Sequence, residues 1–223
     1  NIVFDDANLD NAVKGVISGI FAATGQTCLA GSRLLVQKSI HDRFVEKLVA
    51  LARTARMGDP MAAETQVGPV TNKPQFEKIL TYLEIAKAEG ARPVLGGRRA
   101  AAAGFADGWF VEPTIFTGVH NRMRIAQEEV FGPVLSVMTF DDVDEAVRIA
   151  NDTVYGLAGA VWSKDDARAQ RVARRIRAGQ VDVNGGAFNM NAPFGGFKQS
   201  GHGREAGVYG LEEFLEYKAL QLK

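Results

Sequence analysis

The only cysteine of the 223-residue chain, Cys28, lies in a short stretch bounded by glycines, Gly25-Gln26-Thr27-Cys28-Leu29-Ala30-Gly31. The stretch separates a helix-like segment ending near Thr24 from a strand-like segment beginning near Ser32, so we predict a turn. Backbone N–H groups in such a turn can stabilise a thiolate or an oxyanion. Two interpretations stay open from the residues alone: Cys28 is a nucleophile, or it is a small buried apolar side chain.

A pair of carboxylates forms a second candidate site, in Glu128-Glu129-Val130-Phe131-Gly132-Pro133 directly before a predicted strand. In a functional interpretation, a carboxylate at the strand entrance binds a hydroxyl-rich ligand while the Phe131 ring packs on it. In a structural interpretation, the two glutamates are solvated and Phe131 belongs to the core. The residues by themselves do not separate these interpretations.

Metal and phosphate sites find little support in the sequence. The three histidines, His41, His120 and His202, are far apart and none belongs to a His-Glu-x-x-His pattern, so no metal site is predicted. Residues 201–206 fit G-x-G-x-x-A, but they follow a glycine-rich loop where the dinucleotide fingerprint requires a preceding strand. The chain has no P-loop either.

Composition narrows the class of protein. Lys and Arg total 26 and Asp and Glu total 26, giving a formal net charge of zero, so we expect no nucleic-acid or membrane partner. A 46% hydrophobic and 23% charged composition is typical of a globular protein. The apolar runs, such as Val134–Val137, are too short to span a membrane. A single cysteine favours a reducing compartment, and we expect a cytoplasmic location.

Hydrophobic periodicity predicts alternating helices and strands. Helices are predicted over Asp10–Thr24 with Asp10 as N-cap, His41–Arg56, Gln75–Glu89, Val143–Asn151 and Asp165–Ala178. Strands or extended segments are predicted over Ser32–Gln37, Pro93–Leu95, Phe110–Phe116, Val134–Phe140, Leu157–Trp162 and Gly179–Asn184. This alternation indicates an α/β fold with a mostly parallel open sheet and helices on both faces.

Three further segments stand outside this alternation. We interpret Arg98–Gly108 as an exposed connection whose four alanines could extend a turn of helix. Gly185–Gly210 is interpreted as one long loop, of the kind that often carries function. Residues 215–223 alternate in a way that is typical of a strand. We therefore assign residues 1–214 to one domain and 215–223 to a separate C-terminal strand.

Taken in order along the chain, several short motifs resemble the aldehyde dehydrogenase superfamily, specifically its catalytic domain. They are Gly25-Gln26-Thr27-Cys28, Gly68-Pro69, Gln75-Phe76 with Lys78, Gln127 to Pro133, Ala150-Asn151 with Tyr155 to Ala158, Val183-Asn184, and Pro193 to Gly201. Each motif alone is weak evidence, but the ordered set is specific and covers nearly the whole chain.

The resemblance implies a role for each matching residue. Cys28 would be the nucleophile that forms a thiohemiacetal and then a thioester with an aldehyde, and NAD or NADP would be the cofactor. The implied cofactor-binding residues are Glu129, at the nicotinamide ribose, Phe131, beside the nicotinamide, and Gln75 and Lys78, near the ribose and phosphate. The implied residues lining or supporting the active site are Thr27, Leu29, Asn184 and Phe194. The resemblance also implies a homo-oligomer, a dimer or a tetramer, in which residues 215–223 would be the C-terminal oligomerisation strand.

In the resembled family, the dinucleotide-binding domain and the general-base glutamate lie upstream of the cysteine. We therefore expect the chain to be part of a longer enzyme and to be inactive alone. Residues 185–192 fall in the family's most variable substrate-contacting stretch, so the aldehyde is not identified. Two alternatives stay open: an acylating enzyme that transfers the acyl group to coenzyme A, and a non-catalytic assembly module.

Overall fold

A computed structural model describes residues 1–101, 105 and 108–223 of the chain. Within them the strands are β1 (Ile2–Val3), β2 (Arg33–Gln37), β3 (Arg92–Leu95), β4 (Thr114–Thr117), β5 (Val134–Phe140), β6 (Ala158–Trp162) and β7 (Gln180–Val183). The helices are α1 (Leu9–Phe21), α2 (His41–Ala52), α3 (Lys73–Ala88), α4 (Arg124–Gln127), α5 (Val143–Asn151), α6 (Asp166–Arg175) and α7 (Gly207–Glu212). The predicted connection over 98–108 lies partly outside the described residues.

The strands form one seven-stranded sheet in the order β3-β4-β5-β2-β1-β6-β7. Every neighbouring pair is parallel except β3 and β4, which are antiparallel. The predicted mostly parallel open sheet is therefore confirmed. Apart from β3, all strands of the sheet run in one direction. The segments that precede these strands therefore meet along a single edge of the sheet, called here the amino edge.

Two apolar clusters cover the two faces of the sheet. One cluster packs α3, α5 and α6 against the sheet through residues such as Ile79, Val147 and Val172. The other packs α1 and α2 against the opposite face through residues such as Ile20 and Phe44. Along β2, Leu34 and Val36 belong to the second cluster and Leu35 to the first, as expected for alternating side chains. Helices therefore lie on both faces, as the periodicity predicts.

Helix α1 begins and ends earlier than its pattern suggests. Asn8, and not Asp10, is the N-cap, and its side chain accepts the N–H of Asn11 at 3.2 Å. The helix ends at Phe21 and is followed by a 3₁₀ turn, in which Ala23 and Thr24 have φ values of +48° and +57°. This left-handed backbone, unusual for residues with a Cβ, redirects the chain toward Cys28.

Several other boundaries also differ from the sequence interpretation. Helix α2 ends at Ala52 rather than Arg56, and the extended segment predicted over 110–116 joins the sheet only from Thr114, in a strand that ends at Thr117. Strand β1 was not predicted, because two residues are too short to show a period, yet it pairs with both β2 and β6. The segment 185–210, interpreted as one loop, contains a 3₁₀ turn at Lys198–Ser200 and helix α7.

Residues 215–223 are exposed and pair with no strand of the described chain. Their apolar side chains, including Tyr217, Leu220 and Leu222, are at least 76% exposed. The oligomerisation strand stays a prediction, as does the boundary after residue 214.

Candidate active site

Cys28 and Leu29 occupy the two central positions of a tight turn, closed by the Ala30 N–H donating to the Thr27 carbonyl at 3.1 Å. Thr27, Cys28 and Leu29 are all exposed, so the thiol is accessible. Within the described residues, the N–H groups of Cys28 and Leu29 have no acceptor. The turn therefore presents an accessible sulfur next to free backbone donors, which is the arrangement that oxyanion stabilisation needs.

The start of the Cys28 turn lies directly against the segment that carries the two glutamates. Gly25 has φ +68°, and a Cβ placed on it would lie 2.1 Å from the carbonyl oxygen of Gly132. Only glycine allows both this left-handed backbone and such a close approach. The contact joins the Cys28 turn to the Glu128–Gly132 segment without any side chain between them.

Two hydrogen bonds fix the other side of the same turn. The Thr24 hydroxyl donates to the Gly68 carbonyl at 3.2 Å, and the Gln26 side-chain oxygen accepts the Thr71 N–H at 3.0 Å. Thr24 is buried, so its hydroxyl needs a partner of this kind. The segment 68–71, which includes the Gly68-Pro69 motif, thus serves as a support for Cys28.

Gln75 and Lys78, one turn apart on α3, hold the backbone of the glutamate segment. The Gln75 side-chain amide donates to the carbonyls of Val130 and Phe131, both at 2.9 Å. The Lys78 ammonium donates to the Glu129 carbonyl at 2.8 Å. These hydrogen bonds place Gln75 and Lys78 beside the glutamate segment, which lines the cavity. Contact of either side chain with a cofactor stays a prediction.

Tyr82, one further turn along α3, was not singled out from the sequence. Its hydroxyl donates to the Glu128 carboxylate, which also receives two N–H groups of Arg124 at 2.8 and 2.9 Å. The hydrogen bonds from Arg124 and Tyr82 lower the pKa of Glu128 from 4.5 to about 2. The spacing of Gln75, Lys78 and Tyr82, which repeats along one face of a helix, is the signal that could have identified it.

The two neighbouring glutamates therefore differ in what they can bind. The Glu128 carboxylate is occupied by Arg124 and Tyr82, whereas the exposed Glu129 carboxylate has no hydrogen-bond donor among the described residues. Only Glu129 has both oxygens free to accept hydroxyl groups of a ligand. The residue types alone do not make this distinction.

A cavity of about 330 Å³ brings Cys28 and Glu129 together. It lies at the amino edge of the sheet, and its lining also includes Ser32, Leu157 and Ser200. Ligands of open parallel sheets usually bind at the opposite, carboxyl edge, so the location is not the one that the fold class suggests. Leu157 and Ser200 belong to motifs quoted from the sequence but were not assigned a role.

Seven of the nine predicted site residues do not line this cavity, including the two on α3. Thr27 and Leu29 flank Cys28 in the exposed turn. Phe131 is half-buried with φ +57°, next to the cavity-lining segment. Phe194 is half-buried, pairs with the backbone of Glu205, and its ring lies 6.1 Å from that of Phe188.

Asn184 lies at the carboxyl end of β7, the opposite edge of the sheet from the cavity. Its side chain accepts the Ser163 N–H at 3.0 Å and donates to the Ser163 carbonyl at 2.8 Å and to Asp166 at 3.1 Å. These bonds join the ends of β6 and β7 to the start of α6. Its predicted support of the active-site region stays a prediction, since its described contacts are all at the other edge.

Comparison of the sequence with models of protein families identifies the family to which it belongs. The model of the aldehyde dehydrogenase family matches residues 1–220. The chain belongs to the aldehyde dehydrogenase family. The predicted family is thereby confirmed over nearly the entire chain, while the assignment to its catalytic domain stays a prediction. No helix within the described part of this aldehyde dehydrogenase chain is long and apolar enough to cross a membrane.

The curated relatives that the chain matches are longer than the chain. It is 49% identical over 219 residues to a betaine aldehyde dehydrogenase of Bacillus subtilis (strain 168), covering 98% of this chain and 45% of the relative. It is 48% identical over 225 residues to a betaine aldehyde dehydrogenase of Mesorhizobium japonicum, covering 100% of this chain and 46% of the relative. The chain thus spans less than half the length of these aldehyde dehydrogenases.

Solved structures agree with the fold. A point mutant of Staphylococcus aureus betaine aldehyde dehydrogenase, in complex with NAD+ and with a BME-modified cysteine, superposes with a TM-score of 0.95. It is 47% identical, and the alignment covers 98% of this chain and 45% of that one. Another structure of the Staphylococcus aureus enzyme, with NAD+ and a BME-free cysteine, gives a TM-score of 0.93 at 47% identity, covering 96% of this chain and 43% of that one.

Proposed function

We propose that this chain is the catalytic part of a longer, NAD(P)-dependent aldehyde dehydrogenase that oxidises an aldehyde to a carboxylic acid. The observation that carries the proposal is the shared cavity, which has the accessible thiol of Cys28 and the unpartnered carboxylate of Glu129 in its lining. The proposed nucleophile and the proposed ligand-binding carboxylate thus line one space. Family membership makes aldehyde chemistry the reaction to test.

In the proposed reaction, the Cys28 sulfur attacks the aldehyde carbon and a C–S bond forms, giving a thiohemiacetal whose oxygen is negatively charged. The free N–H groups of Cys28 and Leu29 are the donors that would stabilise this oxygen. NAD, when bound, accepts the hydride that leaves the same carbon. Water then attacks the resulting thioester, the C–S bond breaks, and the carboxylic acid leaves as the thiol is restored.

Glu129 and Phe131 fit the nicotinamide ribose end of such a cofactor. A carboxylate with two free oxygens can accept both ribose hydroxyls, and the half-buried Phe131 ring lies two residues further along the same segment. Gln75 and Lys78 would act by holding this segment through its carbonyls. The relatives of known structure contain NAD+, which supports NAD over NADP as the first cofactor to test.

Betaine aldehyde is the first substrate to test, because the named relatives are betaine aldehyde dehydrogenases. Its quaternary ammonium group is the type of cation that aromatic faces bind. Phe188 and Phe194, with ring centres 6.1 Å apart, are the aromatic pair proposed to lie near it. A neutral aldehyde of similar size serves as the comparison, and equal KM values for both would argue against this assignment.

The test of the function is formation of NADH, followed at 340 nm, by the longer enzyme that contains this chain. We expect turnover with betaine aldehyde and NAD, its loss in Cys28→Ser, and a raised KM for NAD in Glu129→Gln. Coenzyme A in the assay separates the two enzyme classes, since an acylating enzyme would yield a coenzyme A thioester instead of the free acid. Full turnover by Cys28→Ser would refute the proposal and favour the assembly module.

A further inference from the structure

The C-terminal turn of α5 and the two residues after it form an unusual set of acceptors. Each of the five consecutive carbonyls at 149–153 accepts a hydrogen bond from a side chain outside this turn. Arg33 donates to 149 at 2.8 Å and to 150 at 3.2 Å, Lys198 to 151 at 3.0 Å and to 153 at 2.8 Å, and Gln127 to 152 at 2.9 Å. A helix C-terminus leaves its last carbonyls without intrahelical partners, so acceptors are available there.

The three donors come from three of the segments that line, or directly adjoin, the cavity. Arg33 lies five residues after Cys28, Gln127 lies two residues before Glu129, and Lys198 lies two residues before Ser200. The turn at 149–153 therefore ties all three segments to the same few atoms. Ala150 and Thr153 themselves contribute to the cavity wall.

Arg33 and Lys198 depend on these carbonyls because neither forms an ion pair with a carboxylate among the described residues. Burial is the main cause that lowers the pKa of both side chains, and the charge of Asp152 acts in the opposite direction on both. The negative end of the α5 dipole stabilises the two cations at this place. A half-buried cation held only by carbonyls and amides keeps a defined position, because moving away would leave its charge poorly solvated and without a partner.

We propose that Arg33 is a positioning residue that sets the place of the Cys28 turn relative to Glu129 by binding the C-terminal turn of α5. The inference rests on the proposed role of Cys28. Arg33 uses both terminal nitrogens, on Ile149 and Ala150 and also on the Asn121 side chain, whereas its buried Nε has no partner. Its orientation thus follows the carbonyls, and Asn121 extends the link toward Gln127 through its own carbonyl.

The test compares Arg33→Met and Arg33→Lys with Arg53→Met in this chain. Arg53 is exposed and its side chain forms no hydrogen bond or ion pair with the described residues, so it controls for the loss of a positive charge. The measured quantity is the rate constant of Cys28 alkylation by iodoacetamide in the folded protein, with the thermal unfolding midpoint measured in parallel. We expect Arg33→Met to slow alkylation about 2- to 5-fold, because a displaced turn directs its free N–H groups less well at the Cys28 thiolate.

The milder Arg33→Lys variant is expected to recover part of the rate, because one ammonium can hold two carbonyls, as Lys198 does. In the longer enzyme, Arg33→Met should lower kcat about 10- to 100-fold with an unchanged KM for NAD, as displacement of a reacting group by about 1 Å would. Arg53→Met should change neither quantity.

Unchanged alkylation in Arg33→Met and Arg33→Lys, with or without a lower unfolding midpoint, would overturn the positioning role and leave Arg33 a purely structural residue. Equal slowing by Arg53→Met would overturn it as well, since bulk charge would then explain the effect. The proposed function fails on a different result, full activity of Cys28→Ser. Because alkylation needs no turnover, the Arg33 link is tested even in that case.

Discussion

Replacing Gly25 with alanine tests the direct contact between the Cys28 turn and the Glu128–Gly132 segment. The added Cβ would lie 2.1 Å from the Gly132 carbonyl oxygen and 2.9 Å from that of Ile20. Ordinary carbon contacts are nearer to about 3.5 Å, so the two backbones must separate by about 1 Å. At φ +68°, alanine also bears a left-handed penalty of about 1–2 kcal/mol.

Adding about 1–3 kcal/mol for the overlap, we expect Gly25→Ala to lower the free energy of unfolding by about 2–5 kcal/mol. Urea unfolding followed by circular dichroism measures this difference. Gly19→Ala is the matched control: its Cβ would have nothing within 4 Å, so inside α1 alanine should stabilise by up to about 1 kcal/mol. Equal stability of Gly25→Ala and the parent chain would refute the argument that this contact is tight.

Three further predictions concern neighbouring features. Gln75→Leu removes the donor to two carbonyls and should lower the free energy of unfolding in urea by about 1–3 kcal/mol. In the longer enzyme the same substitution should raise the KM for NAD. An unchanged KM would contradict a positioning role for Gln75. The pKa of Glu128 is lowered to about 2, so its stabilising contribution should be constant above about pH 4.5 and be lost as the pH falls toward 2. The difference in unfolding free energy between the parent and Glu128→Gln should follow that course, and a pH-independent difference would contradict it. Truncation after Phe214 should lower the oligomeric state seen by light scattering, because the exposed segment 215–223 is predicted to pair with another chain; an unchanged mass would reject that strand.

The sequence by itself determined the type and order of most elements. Periodicity placed β5 at Val134–Phe140 and α5 at Val143–Asn151 with the observed ends, because a buried strand and an amphipathic helix each leave a local pattern. Motif order identified the family, and the glycines around Cys28 identified the turn. The helices, the strands and the turn can be predicted from the sequence because each depends on residues close together in the chain.

Only the tertiary structure decided which of those residues meet. It placed the cavity at the amino edge, separated the occupied Glu128 from the free Glu129, and directed Gln75 and Lys78 to carbonyls of the glutamate segment. It put Asn184 at the opposite edge and made the two-residue β1 a central strand. Each of these results depends on contacts between residues far apart in sequence, since sheet order and helix packing, and not local propensity, bring such groups together.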